Sequence, residues 1–280
     1  MISIVCGFVA AVFFASSSLL NSRASRHISG WSVVAWAMLV GLVLTAPVAA
    51  LTGIPEAARS NAWWLVVAGI GNVGGLVLAA YAFRWGKVGV VAPILATEGA
   101  LSAVIAARLG ESLAPSVASL LVVIVIGVVL AAGTPDPFPL EHERLALSSG
   151  LAVCGAFSFG VSLYAMAHLS GELPISWVLL PARVVGVLAL TLTLALSRRL
   201  QINRQAAPLV LGMGVVEVLG IAVFSLGARD DIAITSVLSS QFAPIAAIIA
   251  YLLFRERLGR VQIVGVAVIV AGVTALSVWS

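Results

Sequence analysis

Charge is the property this chain has least of. Asp, Glu, Lys and Arg make up 9% of its 280 residues, hydrophobic residues make up 61%, and the mean hydropathy is +1.16. A water-soluble domain of this size carries about a quarter of its residues charged, so an aqueous globule is excluded. Two cysteines, Cys6 and Cys154, do not make a disulfide framework. Lys87 is the one lysine and stands at a predicted helix start, which argues against a Schiff-base lysine buried mid-bundle. The three histidines, His27, His142 and His168, fall in loops or at helix ends. No His-Glu-x-x-His motif and no Walker loop occurs, which sets aside a zinc hydrolase and an ATP motor. No enzyme, cofactor or metal centre is expected, and no large soluble domain is present. The pI near 9.7 does not imply a nucleic-acid partner, because the basic residues sit mostly in short loops, where they orient a membrane protein.

What the chain has instead is apolar length. Ten runs, at about 2–21, 31–52, 62–84, 87–107, 114–132, 146–167, 173–197, 206–228, 231–254 and 259–279, are each long enough to cross a hydrocarbon core of about 30 Å. They predict an all-α membrane protein of ten transmembrane helices. Pro115 and Pro208 stand near helix starts, where a missing N–H costs little. The polar stretch with Pro135, Pro137 and Pro139 reads as a linker at 133–145 between a first repeat (1–132) and a second (146–280). The first run lacks a basic leader and is read as a retained helix rather than a signal peptide.

The two halves resemble each other. Gly69-x2-Asn72-x2-Gly75 recurs 145 residues later as Gly214-x2-Glu217-x2-Gly220, and Glu111-x-Leu113 recurs at the same offset as Glu256-x-Leu258. Val5-Cys6-Gly7 has a twin in Val153-Cys154-Gly155, at an offset of 148. Five helices per copy is an odd number, so the second copy enters the membrane from the opposite side and the repeats are inverted. Cys6 and Cys154 are then expected toward opposite faces, unable to pair. Loops after odd-numbered helices hold eleven Arg and Lys, against three (Arg59, Arg108, Arg229) after even-numbered ones. The positive-inside rule therefore predicts both termini outside the cytoplasm.

Function is expected where polarity survives inside the hydrocarbon. Glu98, Arg183 and Glu217 sit near helix centres, where each costs roughly 2.5–3.5 kcal/mol on insertion scales. An ion pair of Arg183 with one carboxylate is the structural alternative to a role in a substrate or ion pathway. A carboxyl left over is a candidate proton carrier. Ser236, Ser239, Ser240 and Ala243 follow helical i, i+3, i+4, i+7 spacing, and the equivalent stripe in the first copy is Val91, Ile94, Leu95 and Glu98. Asn72 and Glu217 occupy equivalent places between glycines. The simplest geometry puts helices 3, 4, 8 and 9 around one midplane cavity.

Pro47, Pro93, Pro181 and Pro244 lie within helices, where each frees a carbonyl and favours a kink. Trp31, Trp63, Trp64, Trp85 and Trp177 lie near helix ends and read as interfacial anchors. Tyr164 and Gln241 remain candidate cavity liners.

Ten helices in two repeats, with Glu111-x-Leu113 or Glu256-x-Leu258 closing each fourth helix before a glycine-rich fifth, resemble the EamA-type transporters of the drug/metabolite transporter superfamily. The resemblance spans nearly the whole chain. It implies alternating access, a cavity lined by helices 3, 4, 8 and 9 with their neighbours, and peripheral helices 5 and 10. Amino-acid exporters among that family's characterised members suggest a small amphipathic metabolite. Many members are expected with cytoplasmic termini, against the charge count here. Ser16-Ser17-Ser18 before Arg23 and Arg26, and Tyr81-Ala82-Phe83 leading to Gly99-Ala100-Leu101-Ser102 and Glu111, resemble the NIPA-type magnesium transporters, which have an outside amino terminus. A substrate-binding set of Glu98, Glu217, Asn72, Arg183, Ser236, Ser239, Ser240, Gln241 and Tyr164 follows, serving a small-molecule carrier of the plasma (inner) membrane. Proton or ion coupling and a monomeric or homodimeric state complete the expectation. The alternatives are a divalent-cation transporter and a non-transporting scaffold.

Overall fold

The computed structural model describes residues 2–108, 115–133, 141–170, 173–228, 238–239, 241–255 and 258–279. Glu111, Leu113, Ser236, Ser240, Glu256, Arg229, Arg257 and the linker prolines lie outside the described residues. Among the described residues every regular element is helical.

Helices α1 (Ile2–His27) and α2 (Gly30–Thr52) meet at a tight turn, where the Ser29 hydroxyl caps α2 by accepting from the Ser32 N–H at 3.3 Å. A short helix, α3 (Glu56–Ser60), follows Pro55 and leads into α4 (Ala62–Trp85). Then come α5 (Val88–Leu95), α6 (Glu98–Arg108) and α7 (Pro115–Gly133). The second half holds α8 (Leu145–Ser170), α9 (Ile175–Gly186), a π-helical continuation (Val187–Leu192) and α10 (Thr193–Leu196). It closes with α11 (Ala206–Ala228), α12 (Phe242–Phe254) and α13 (Arg260–Trp279). Among the described residues six stretches are long and apolar enough to cross a membrane: α1, α2, α4, Leu145–Met166, Ile175–Leu196 and Ala206–Gly227.

The fourth run, expected as one helix over 87–107, is two. Pro93 has no N–H to return to the preceding turn. Four residues on, the Thr97 N–H bonds to the Ile94 carbonyl at 3.1 Å instead of reaching back to Pro93, and the Thr97 hydroxyl takes the same carbonyl at 2.7 Å. The helix stops at Leu95 and restarts at Glu98. Gln241, 145 residues after Ala96, stands just outside α12 in the same way. The stripe expected to run unbroken from Val91 to Glu98 is therefore cut. Val91, Ile94 and Leu95 are buried in an apolar core instead.

Packing repeats under a shift of 145 residues. Helix α4 lies on α8 and α1 on α11: a Cβ at Gly75 would stand 2.5 Å from the Phe159 ring, and one at Gly220 would stand 2.8 Å from Phe14. Helix α4 also meets α9, with Gly69 against Val185, just as α11 meets α2, with Gly214 against Val40. Small residues let these backbones approach, which is how helices associate where lipid removes the hydrophobic drive. Ser158 and Ser162 of α8 donate to the carbonyls of Gly71 and Ala68, each at 2.8 Å, and each such bond contributes about 0.6 kcal/mol in a membrane. Phe14 and Phe159 differ by 145, so α1 and α8 follow the common offset. The Val-Cys-Gly likeness at 148 has no counterpart in these contacts. Cys6 and Cys154 are both free thiols.

The second and fifth helices of one copy meet their counterparts in the other, and both pairs run antiparallel. In α7 and α13, Gly127 faces Ile269 while Gly272 faces Ile124. In α2 and α9, Gly186 faces Met38, Gly41 faces Arg183, and the Thr191 hydroxyl donates to the Ala35 carbonyl at 2.8 Å. Outward, Val43, Ile70, Val125, Leu188 and Leu252 are all exposed, an apolar surface that only hydrocarbon or another protein satisfies.

Candidate functional site

Arg183 is the largest fully buried side chain, 1% exposed, two residues after Pro181 on α9. Its shaft lies over Gly41 of α2, where a Cβ would stand 2.8 Å from Arg183 Cδ. From there Nη1 reaches Glu217 Oε1 of α11 at 3.0 Å and lies 3.5 Å from Met38 Sδ. A glycine on one helix thus makes the groove that carries a cation to a carboxylate on a third.

The pair leaves polar capacity unused. Arg183 Nε, Glu217 Oε2 and Asn72 Oδ1 are buried without a hydrogen-bond partner among the described residues. Each unmet buried group costs about 1–3 kcal/mol, so three in one cluster are held by the surrounding fold against their own preference. Asn72 and Arg183 line a small cavity with Ala68, Met166, Val178, Leu179, Ala182 and Ile221. The room inside is about 10 Å³, no more than one water needs.

Of the residues expected at the site, the structure brings Asn72, Arg183 and Glu217 together. Glu98 is elsewhere, half-buried at the first turn of α6, with its main-chain carbonyl against Gly160 of α8. Its carboxyl makes no hydrogen bond or ion pair among the described residues. Ser239 is buried just before the break in the ninth run. Gln241 at that break donates to the Thr274 hydroxyl of α13 at 2.8 Å. Tyr164 packs edge-on against Trp64, with ring centroids 5.7 Å apart. Ser236 and Ser240 lie outside the described residues. The cavity is lined from α4, α8, α9 and α11, which are the third, sixth, seventh and eighth runs. Met38 and Gly41 were missed, yet the repeat carries the signal: they stand 145 residues before Arg183 and Gly186.

The corresponding half-site in the other copy is filled. Ala68 corresponds to Met213, Val178 and Leu179 to Val33 and Val34, and Ala182 to Ala37. Met213, Val33, Val34, Ala37 and Met38 are all fully buried in one apolar cluster. That side continues into the arginine-rich end of the molecule, where Arg26 donates to the Gly86 carbonyl and Arg84 to that of Ile28, at 3.5 and 3.4 Å. There too Lys87 Nζ lies 3.9 Å from Glu143 Oε2, both side chains buried. The cavity side continues toward the opposite end, where Trp64 packs on Tyr164 and His168. Trp177 there donates to the Thr52 hydroxyl at 3.2 Å. Among the described residues no three His, Cys, Asp or Glu side chains group to hold a metal ion.

Long apolar helices with exposed hydrocarbon faces, enclosing a buried ion pair beside a sealed polar cavity, define a multi-pass membrane protein of the transporter kind. The EamA-like transporter family matches residues 1–133 and again 147–278, and the chain belongs to that family, within the drug/metabolite transporter superfamily. A solved crystal structure matches with a TM-score of 0.64 and 17% identity, over 99% of this chain and 97% of that one, a likeness of fold alone. Among curated proteins none matches the sequence.

Proposed function

We propose that this membrane transporter has ten spanning helices in two inverted five-helix repeats, and that it exports a small amphipathic metabolite such as an amino acid or amine by alternating access. The antiparallel meeting of same-rank helices supports the inversion, because repeats related by an axis in the membrane plane must meet that way. The observation that carries the reading is the Arg183–Glu217 pair with three unmet polar atoms around it. A buried pair so incompletely satisfied adds little to stability, whereas a solute bearing both a donor and an acceptor would complete it.

The present conformation is the sealed one. A metabolite pocket takes about 300–1,000 Å³, far beyond the cavity beside Asn72, so helices must part for substrate to enter. The half-site toward the arginine-rich end is packed with apolar side chains around one buried polar residue, Asn21, and the room lies on the other side. Opening from this state is therefore toward the arginine-poor end, and the charge bias makes that end the outside of a plasma (inner) membrane. Transport in proteoliposomes of an amino-acid and amine panel beside magnesium, at two pH values, tests the reading. Magnesium transport without organic solute transport would overturn it. Against a dication stands Arg183, whose charge already occupies Glu217.

A further inference from the structure

We propose that the groove between the start of α2 and the end of α10 is a binding site for an anionic phospholipid. The groove has about 550 Å³ of room. Arg198 and Arg199 line it, both exposed and neither side chain bonded or ion-paired among the described residues. Leu194 and Leu200 give it apolar wall, and Trp31, 46% exposed, stands at its rim. Along the same stretch, Leu188, Leu192 and Leu196 are exposed at four-residue intervals, which is surface for an acyl chain.

The groove is built rather than incidental. Gln201 fastens its loop to α2 three ways: its Oε1 accepts from the Ser29 N–H at 2.8 Å, its carbonyl from Trp36 Nε1 at 3.1 Å, and its N–H donates to the Ser32 hydroxyl at 3.0 Å. The loop backbone that carries the two arginines is therefore held over the helix end.

The duplication supplies an internal control. Arg198, Arg199, Leu200 and Gln201 correspond to Gly53, Ile54, Pro55 and Glu56 of the first copy, and Trp31 corresponds to Ser176. Gly53 has φ 68° and Arg198 has φ 55°. Both copies turn with positive φ after the helix, a region that glycine adopts freely and arginine does not. The second copy keeps arginine there at a backbone cost the first copy avoids. A positive-inside bias asks only for charge somewhere in the loop. An arginine pair on a fastened loop, beside a tryptophan and exposed leucines, matches a phosphate head with its chain, as basic pockets between membrane helices do.

The purified full chain in detergent is titrated with phosphatidylglycerol and with phosphatidylcholine of the same acyl chains, and lipid retention is read by native mass spectrometry. Wild type should retain phosphatidylglycerol with about tenfold preference. Arg198→Gln/Arg199→Gln should erase the preference. Arg198→Gly/Arg199→Ile, which restores the first copy's Gly-Ile and relieves the turn, should erase it too. Equal retention of the two lipids by wild type, or a preference surviving in both variants, overturns the site. Displacement of the lipid by millimolar glycerol phosphate would also overturn it, assigning the groove to soluble phosphates. Lipid retention is read without transport, so failure here leaves the carrier reading untouched.

Discussion

Arg183 and Met38 are the same position in the two copies, and they touch: Arg183 Nη1 lies 3.5 Å from Met38 Sδ where α9 crosses α2. Each side chain lies on the glycine of the other's helix, Arg183 on Gly41 and Met38 on Gly186. The crossing is symmetric in shape and asymmetric in charge. Glu217, whose counterpart is Asn72, completes the asymmetry by holding the cation.

That relation predicts a rescue. Arg183→Met leaves Glu217 buried without its partner and should destabilise the protein by about 3–5 kcal/mol. Arg183→Met/Glu217→Asn makes the second copy resemble the first, with Met38 and Asn72 as the template, and should recover most of that loss while abolishing transport. Thermal unfolding in detergent measures the first part and proteoliposome uptake the second. A double variant that transports normally would remove the pair from the mechanism.

Gly41→Ala separates positioning from folding. The new methyl meets the flexible Arg183 shaft at 2.8 Å, so the guanidinium shifts while still reaching Glu217, and transport should fall at least tenfold while the fold survives. Gly75→Ala instead meets the Phe159 ring at 2.5 Å, in an interface with no slack. It should cost about 1–3 kcal/mol of stability. Equal melting losses in the two variants would contradict this distinction.

Glu98 is the ionisable group that the pair does not use. Glu98→Gln should leave folding intact and remove any acceleration of transport by a proton gradient. Transport compared with and without an imposed gradient decides this, and a gradient response that persists in the variant assigns the proton to another group.

Lys87 and Glu143 tie the start of α5 to the segment entering α8 at the arginine-rich end. Glu143→Gln removes a charge from a buried contact and should cost about 1–3 kcal/mol. It should also raise the reactivity of cysteines placed at that end, as closure there loosens. Unchanged labelling would show that the apolar cluster around Met38 and Met213 seals that end alone.

Orientation has its own test. A phosphatase fused to the carboxyl terminus should be active, since the eleven-to-three bias puts that end outside. A fusion active only as a cytoplasmic reporter would reverse the assignment of the two ends.

How far the sequence reaches is plain at particular residues. Asn72 and Glu217 were legible because their glycine frames repeat, and Arg183 because charge is rare in hydrocarbon. A helical stripe places Glu98 beside them, but the helix stops at Leu95, the Thr97 N–H turns back to Ile94, and the chain restarts at Glu98. Tyr164 packs on Trp64 and Gln241 bonds to Thr274, partners that no spacing in the sequence reveals. Periodicity reports which residues share a face only while the helix stays continuous.

Sequence alone determined that this protein lives in a membrane, that it is made of a repeated unit, and that three intramembrane polar residues need company. Composition and spacing are sufficient for that, because hydrocarbon tolerates so little charge and an internal repeat is visible at any depth. Tertiary structure decided which polar residues meet. Arg183 reaches Glu217 and not Glu98 because Gly41, on a helix more than a hundred residues away in sequence, leaves the groove through which the arginine passes. Which of two equivalent half-sites is hollow was also decided there, since close packing depends on the volumes of side chains brought together from four helices, and no single stretch of sequence contains that sum.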